Sequence, residues 1–346
     1  IMATRGSYVY TYRDLMAGLK GNKTFDHEIV DMLIQMNPML DDMVIAEAND
    51  CTSNKTTIRT GLPDVAWIGF YEGVQGSAGS KKQIRNTAGR AATKLEIDAK
   101  LFDSDPNKNA LLLDEVQAHS NALMNEMADC IIYGKVTTEP KKFNGLINFY
   151  SKYQANSSTD DTVSSHYVFN AKSATQASTA ALRSIFLVGW SQMSIRCFYP
   201  QGTMGGIQRG PFKKYVDVTD SDGGTYEVHR QYLEWQLGLD VRDYRYGGRM
   251  CNLQADEMFD TTGVPDYWEI LRRMTTRVRD DGGVRQVFYM DKLTWEAVTV
   301  WASRKTAENA IKYGDLNERI PHKLFGVNVR IADSLNTNED EVSQVS

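Results

Sequence analysis

Between Asp105 and Gly134 the chain carries one uninterrupted helical repeat, and a helix of that length limits every arrangement the remaining residues can take. Ser104-Asp105-Pro106 reads as its start, an N-cap followed by proline at the first helical position. Val116, Leu123, Met127 and Ile131 recur close to a 3.6-residue period, and Leu112, Leu113 and Met124 widen the stripe. Gly134 stands where a C′ residue ends a helix. At 1.5 Å per residue such a rod is roughly 40 Å long. Its only histidine, His119, has no second ligand or base three or four positions away, which points to a structural role. The apolar stripe needs a partner, and Leu123 and Met127 are expected to meet a sheet face carrying Trp235 and Leu237.

The stretch 51–104 before this helix reads as two extended limbs. Thr56 to Pro63 forms the first; in the second, Leu95, Ile97, Ala99 and Leu101 alternate with Lys94, Glu96, Asp98 and Lys100. Gly73, Gly76, Gly79 and Gly89 loosen the region between them, and Lys81, Lys82, Arg85 and Arg90 make Gly73–Arg90 basic with no acid. A lone two-stranded ribbon of such reach, roughly 50 Å per limb, is marginal in water. Two readings stay open: a disordered surface loop, or an arm lying on a neighbouring subunit.

The remaining segments suggest short elements around this beam. Leu40, Met43 and Val44 follow Pro38 as a brief amphipathic piece. The Ser/Thr-rich stretch 151–181 reads as a connection with a small polar insertion. Ile185-Phe-Leu-Val188 is apolar on both faces, a central strand whose expected partner is Ser194–Tyr199. Leu233, Trp235, Leu237, Leu239 and Val241 share one face of a strand, and Glu234, Gln236, Asp240 and Arg242 share the other. Tyr226 and Val228 fall in the opposite phase, which predicts a bulge between His229 and Tyr232. From about 261 the pattern becomes α/β: a helix with Tyr267, Leu271, Met274 and Val278 inward, a strand Val287–Met290, an Asp291-capped helix, and a strand over Val327, Val329 and Ile331. The acidic tail around Glu339-Asp340-Glu341 is expected to be loosely held.

Catalytic and ligand constellations are missing from the sequence. His27, His119, His166, His229 and His322 are scattered, and no nucleophile elbow or dinucleotide glycine fingerprint occurs. Gly18–Thr24 lacks the spacing of a phosphate loop, and the Asp220–Gly224 cluster lacks the terminal glutamate of a calcium loop. Asp41-Asp42 and Asp160-Asp161 read as solvated pairs. Four separated cysteines without C-x-x-C fit free thiols in a reducing compartment. A net charge of −5 argues against a nucleic-acid coat, though not against a container from which nucleic acid must leave. No apolar run of 18 residues appears, so no membrane association is expected, and the expectation is a soluble protein made in a cytoplasm. No catalytic residue, cofactor or metal is expected.

Three stretches together resemble a known family. The first runs from Asn37-Pro-Met-Leu-Asp-Asp-Met43 through Glu47-Ala-Asn49 and Thr56-Thr-Ile-Arg-Thr-Gly-Leu-Pro63 to Trp67 and Gly73-Val74. The second joins Glu126-Met-Ala128, Tyr133-Gly134 and Phe143-Asn-Gly-Leu146. The third holds Leu187-Val-Gly-Trp190, Tyr199-Pro-Gln-Gly202, Gly238–Asp243, Arg245-Tyr246 and Arg249-Met-Cys-Asn252. In order and spacing these are similar to the major capsid proteins of tailed bacteriophages, in the podovirus branch of phage epsilon fifteen. Gly247-Gly248 departs from that pattern, standing where bulkier strand residues are expected.

The resemblance implies an α+β fold of the Hong Kong 97 type, with permuted connectivity because the strands at 185–199 precede the axial domain. It divides the chain into an N-terminal arm (1–50), an extended β-hairpin loop (51–104) and a peripheral domain (105–260) with spine helix 105–133 and insertion 151–181. An axial α/β domain (261–335) and a C-terminal tail (336–346) complete it. It implies self-assembly into hexamers and pentamers of an icosahedral head shell around double-stranded DNA, touched weakly and without specificity. Scaffolding, portal and decoration proteins are the other implied partners, and the virion, assembled in the bacterial cytoplasm, is the implied location. Arg59, Trp67, Lys81, Lys82, Arg85 and Arg90 are then the candidate inter-subunit contacts. The other reading is a tail-tube or decoration protein, but those are usually shorter β-rich chains without so long a helix.

Overall fold

The computed structural model describes residues 37–104, 108–154, 163–173, 181–219, 223–260, 263–304, 323–335 and 338–345. The Asp105-Pro106 helix start, the segments before Asn37, Asp160-Asp161, the acids of the 220–222 turn, His27 and His322 lie outside the described residues. The chain forms two compact units. Among the described residues, one holds those within 90–126 and 206–236, and the other holds those within 37–89, 127–205 and 237–345.

In the first unit, β4 (Gly89–Asp98) pairs with β10 (Thr225–Val241), which also pairs with β8 (Gln208–Arg209) and β9 (Lys213–Thr219). The apolar face of β4 needs cover, and the core supplies it: Leu95 and Ile97 meet Phe102, Val116 and Leu233, with Leu111, Leu112, Ile207 and Phe212 at the rim. The alternating limb is therefore a sheet strand here and not the return strand of the hairpin. Its alternation also overruns the strand, which ends at Asp98. The Asp98 carboxylate accepts from the amides of Lys100 (2.8 Å) and Leu101 (3.1 Å) and so starts a helix, α2 (Ala99–Ser104). The bulge in β10 falls between Val228 and Arg230, slightly earlier than the phase change suggests.

The long helix, α3 (Lys108–Tyr133), begins in the first unit and ends in the second. Val116, Leu123, Met127 and Ile131 are all buried, as are Trp235 and Leu237. Leu113 is 65% exposed, so the stripe is narrower than its composition suggests. Gly134 ends the helix for want of space and not for a left-handed backbone. A Cβ there would lie 2.2 Å from the Phe143 carbonyl oxygen, where Gly145 N–H, just before the short helix α4 (Leu146–Phe149), donates to Gly134 O at 2.7 Å.

In the second unit, β6 (Leu182–Trp190) is central, as its apolar faces require. Its neighbours are β11 (Gly247–Gln254) and β12 (Arg285–Met290), both antiparallel. The expected partner, β7 (Ile195–Tyr199), meets β6 only at Trp190↔Ile195. It pairs instead with β1 (Ile45–Glu47) in parallel and with Gly238–Val241 of β10 in antiparallel. The α/β part runs α5 (Tyr267–Arg277), β12, α6 (Lys292–Arg304), β13 (Lys323–Leu324) and β14 (Val327–Ile331), with β12 and β14 parallel. Asp266 caps α5 through Glu269 N–H (3.2 Å), and Asp291 caps α6 through Thr294 N–H (3.0 Å).

Several polar stretches turn out to be structural. Within 151–181, β5 (Val168–Asn170) joins β11 in parallel, and Tyr167, Phe169 and Ala171 are buried. Asp42 closes the short helix α1 (Met39–Asp42), yet it is buried and not solvated. Its carboxylate accepts from Tyr289 (2.9 Å) and pairs with Arg285, while Tyr289 accepts from Trp190 Nε1 at 2.8 Å. Gly247 and Gly248 are glycines because Cβ atoms there would meet the Tyr150 hydroxyl (2.2 Å) and Val278 (2.9 Å). The tail is pinned: Glu339 N–H donates to Leu182 O at 2.9 Å, Val345 N–H to Tyr153 O at 2.8 Å, and Val342 exchanges bonds with the Asn252 side chain.

Candidate functional site

The described histidines sit in packing environments, as do Cys130, Cys197 and Cys251, whereas Cys51 is exposed. His119 shares a 2.7 Å hydrogen bond with Thr93 Oγ1, and His166 lies edge-on to Tyr167 with centroids 5.3 Å apart. His229 is enclosed by the rings of Phe102 (4.9 Å), Phe212 (5.5 Å) and Tyr215 (5.0 Å), and burial lowers its pKa. Burial pushes the Cys251 thiol up to about 12 and raises Cys197 further, which keeps both thiols protonated. Among the described residues no group of three or more His, Cys, Asp or Glu is placed to hold a metal ion. No described helix is long and apolar enough to cross a membrane.

The unusual feature is a ribbon. β2 (Ser53–Arg59) and β3 (Lys81–Thr87) pair antiparallel from Ser53↔Thr87 to Arg59↔Lys81 and form a two-stranded sheet of their own. Asn54, Thr56 and Ile58 share one face with Asn86, Ile84 and Lys82; Lys55 and Arg59 share the other with Arg85 and Lys81. Beyond the ladder, Thr60 N–H and Gly61 N–H donate to Ser80 O (3.0 and 3.3 Å), and the Ser77 hydroxyl donates to Asp64 O (3.0 Å). A Cβ on Gly79 would lie 2.8 Å from Gly61 O, so the limbs approach too closely for any side chain at that position.

A buried carboxylate anchors the base. Asp240 is fully buried and accepts from Asn54 Nδ2 (2.6 Å), Asn86 Nδ2 (2.8 Å), Thr56 Oγ1 (3.2 Å) and Arg242 Nε (3.0 Å). Arg196 Nε lies 3.5 Å away, an ion contact without hydrogen-bond geometry. Burial first, and then the charge of Arg242, lower the Arg196 pKa below the usual arginine value. The periodicity of 233–241 places Asp240 on the polar face; the hairpin base covers that face at this one point. Only the strand register brings Asn54, Asn86 and Asp240 together, and their separation in sequence leaves no local signal.

The candidate contact residues are distributed along this ribbon and beyond it. Trp67 is fully exposed at the tip, beside Phe70 at 98%, Val65 at 90% and Leu62 at 79%. Arg59 and Lys81 are exposed and directly opposed, and Lys82 faces away on the other side. Arg85 is tied to the base through Ser53 Oγ (2.9 Å). Arg90 lies in β4, outside the hairpin, and pairs with Glu234. The large apolar residues around Trp67 were not singled out from sequence, although a cluster of them among glycines was the available signal.

The chain resembles solved virion proteins over nearly its full length. It aligns with the cryo-electron microscopy structure of bacteriophage epsilon15 at 21% identity and a TM-score of 0.78, covering 99% of this chain and 100% of that one. The bacteriophage JBD30 capsid aligns at 11% identity and a TM-score of 0.51, covering 95% and 100%. No curated protein matches the sequence significantly. Both structural likenesses give an α+β fold of the Hong Kong 97 type. The family described as major capsid protein GP7 matches residues 21–343, so the chain belongs to that family and is a tailed-phage major capsid protein, a structural component of the virion.

Proposed function

We propose that copies of this chain assemble into hexamers and pentamers of an icosahedral head shell, with the 53–87 hairpin lying on a neighbouring subunit. One observation carries this reading: a ribbon anchored at its base by Asp240 ends in a tip whose Leu62, Val65, Trp67, Phe70 and Tyr71 are nearly all in water. Exposed apolar groups gathered in this way mark an interaction site in a soluble chain. Arg59, Lys81, Lys82 and Arg85 give the ribbon its charge, and Arg90, in β4, is the remaining candidate contact. The division into arm (1–50), loop (51–104), peripheral domain (105–260), axial domain (261–335) and tail (336–346) describes the parts of such a subunit.

The shell encloses double-stranded DNA with weak contact, in keeping with a net charge of −5. It assembles in the host cytoplasm with scaffolding and portal proteins, carries decoration proteins, and has no catalytic role. The test is Trp67→Ser with Phe70→Ser, followed by electron microscopy of the purified protein. The expected result is a folded protein that forms no closed shells; normal shells would refute the role of the tip. Tubes formed by the unaltered chain would favour a tail component.

A further inference from the structure

Two exposed ribbons in this chain each hold a pair of like charges face to face. In the β2–β3 ribbon the ladder ends at Arg59↔Lys81, and a second cationic pair, Lys55↔Arg85, sits four residues inward on the same face. In the ribbon made by β9 and the start of β10, Asp217 stands directly opposite Glu227. Like charges directly opposite one another weaken a strand pair, so each ribbon carries a cost that nothing in its own ladder removes.

The inner cationic pair has local partners. Lys55 reaches Asp50 at 3.1 Å, and Arg85 Nε donates to Ser53 Oγ at 2.9 Å. The outer pair has none: Arg59 and Lys81 form no ion pair among the described residues, and neither do Asp217 and Glu227. All four side chains are exposed. The two sites are therefore matched in number, in spacing (one cross-strand separation of about 5 Å) and opposite in sign.

We propose that the Arg59/Lys81 pair of one copy docks on the Asp217/Glu227 pair of a second copy. This rests on the reading that the chain builds a shell from copies of itself, and names the surface that receives the hairpin. Docking replaces two like-charge contacts with unlike ones, which suits a second copy better than a nucleic acid: phosphate would relieve the cations and leave the acids opposed. The opposite face of the acidic ribbon, with Val216, Val218, Tyr226 and the buried Val228, is apolar, while Asp217 and Glu227 are both exposed on theirs and so are open to a partner.

Two charge-reversed chains test this. Arg59→Glu/Lys81→Glu makes both ribbons acidic, and Asp217→Lys/Glu227→Lys makes both basic. Circular dichroism and melting temperature should match the unaltered chain, since all four positions are exposed. Alone, each variant should lose at least tenfold in shell yield by sedimentation and electron microscopy. Mixed in equal amounts, they should recover yield, because each acidic ribbon then finds a basic one on the other chain. Arg59→Gln/Lys81→Gln should lose less than the reversal.

Full yield from either variant alone overturns the proposal. So does assembly of a single chain carrying all four reversals combined with failure of the mixture, which would place the contact within one chain. Shells of Arg59→Glu/Lys81→Glu that form normally but hold no DNA would assign the cations to nucleic acid and also overturn it. If the unaltered chain forms no shells under the same conditions, the shell reading itself fails, and the contact with it.

Discussion

The Arg249 guanidinium and the Glu339 carboxylate lie 2.7 Å apart, each side chain only 2% exposed, and join the middle of β11 to the C-terminal tail. Arg249 also donates to Ser184 Oγ (3.0 Å) and Tyr150 O (2.9 Å), and Tyr133 donates to Glu339 at 3.1 Å. An acidic tail that composition alone would leave in solvent is thus the counter-charge of a buried arginine.

Replacing Glu339 by Gln should leave Arg249 buried without its anion. Breaking one side of a buried ion pair costs about 3–5 kcal/mol, and denaturant unfolding of the unassembled chain should read a loss of that order. A change below about 1 kcal/mol, the range of exposed ion pairs, would mean that the tail pairing contributes little.

Gly238 sits opposite Phe198 in the β10–β7 ladder, and a Cβ there would lie 2.4 Å from the ring. Gly238→Ala should destabilise by about 1–3 kcal/mol through overpacking. Phe198→Leu in the same chain should return part of the loss, since the two changes share one space. Additive effects by equilibrium unfolding would show that the ring is not the obstacle.

His229 is held below the ordinary histidine value, chiefly by burial, with Lys214 and Lys108 acting in the same direction and Asp103 and Asp98 opposing. Because its folded pKa is lower than its unfolded value of about 6.5, the folded state binds protons less readily. Its contribution is fully present above about pH 6.5 and is lost as pH falls through the folded value, at no more than about 1.4 kcal/mol per pH unit. His119, also lowered by burial, acts the same way. Melting temperatures from pH 7.5 to 5 should fall less steeply in His229→Phe, and parallel curves would assign the acid sensitivity elsewhere.

Asp240→Ala should loosen the hairpin without unfolding the sheet that carries it. Asn54, Asn86 and Thr56 would lose their shared acceptor, and Arg196 and Arg242 their anion. Hydrogen exchange at the amides of 53–56 and 84–87 should accelerate at least tenfold, while β6 and β12 keep their protection. Unchanged exchange at the hairpin base would mean that its backbone ladder suffices.

Periodicity alone settled the elements that bury one face. The Val116–Ile131 stripe, the Leu233–Val241 face and the Tyr267–Val278 face were legible because an apolar repeat at 3.6 or 2 residues has few other uses in water. The family-resembling order of motifs carried the α+β architecture as well. Tertiary structure alone decided what lies in sequence-distant register: β4 joins β10 and not the hairpin, β6 takes β11 and β12 as neighbours, and Gly247 and Gly248 are small because Tyr150 and Val278 arrive from elsewhere. The buried acids Asp42, Asp240 and Glu339 belong to that second group. A carboxylate reads as solvated until the fold brings its cation or amide donor to it, and no local pattern pairs Asp42 with Arg285, Asp240 with Asn86 or Glu339 with Arg249, which lie 243, 154 and 90 residues away.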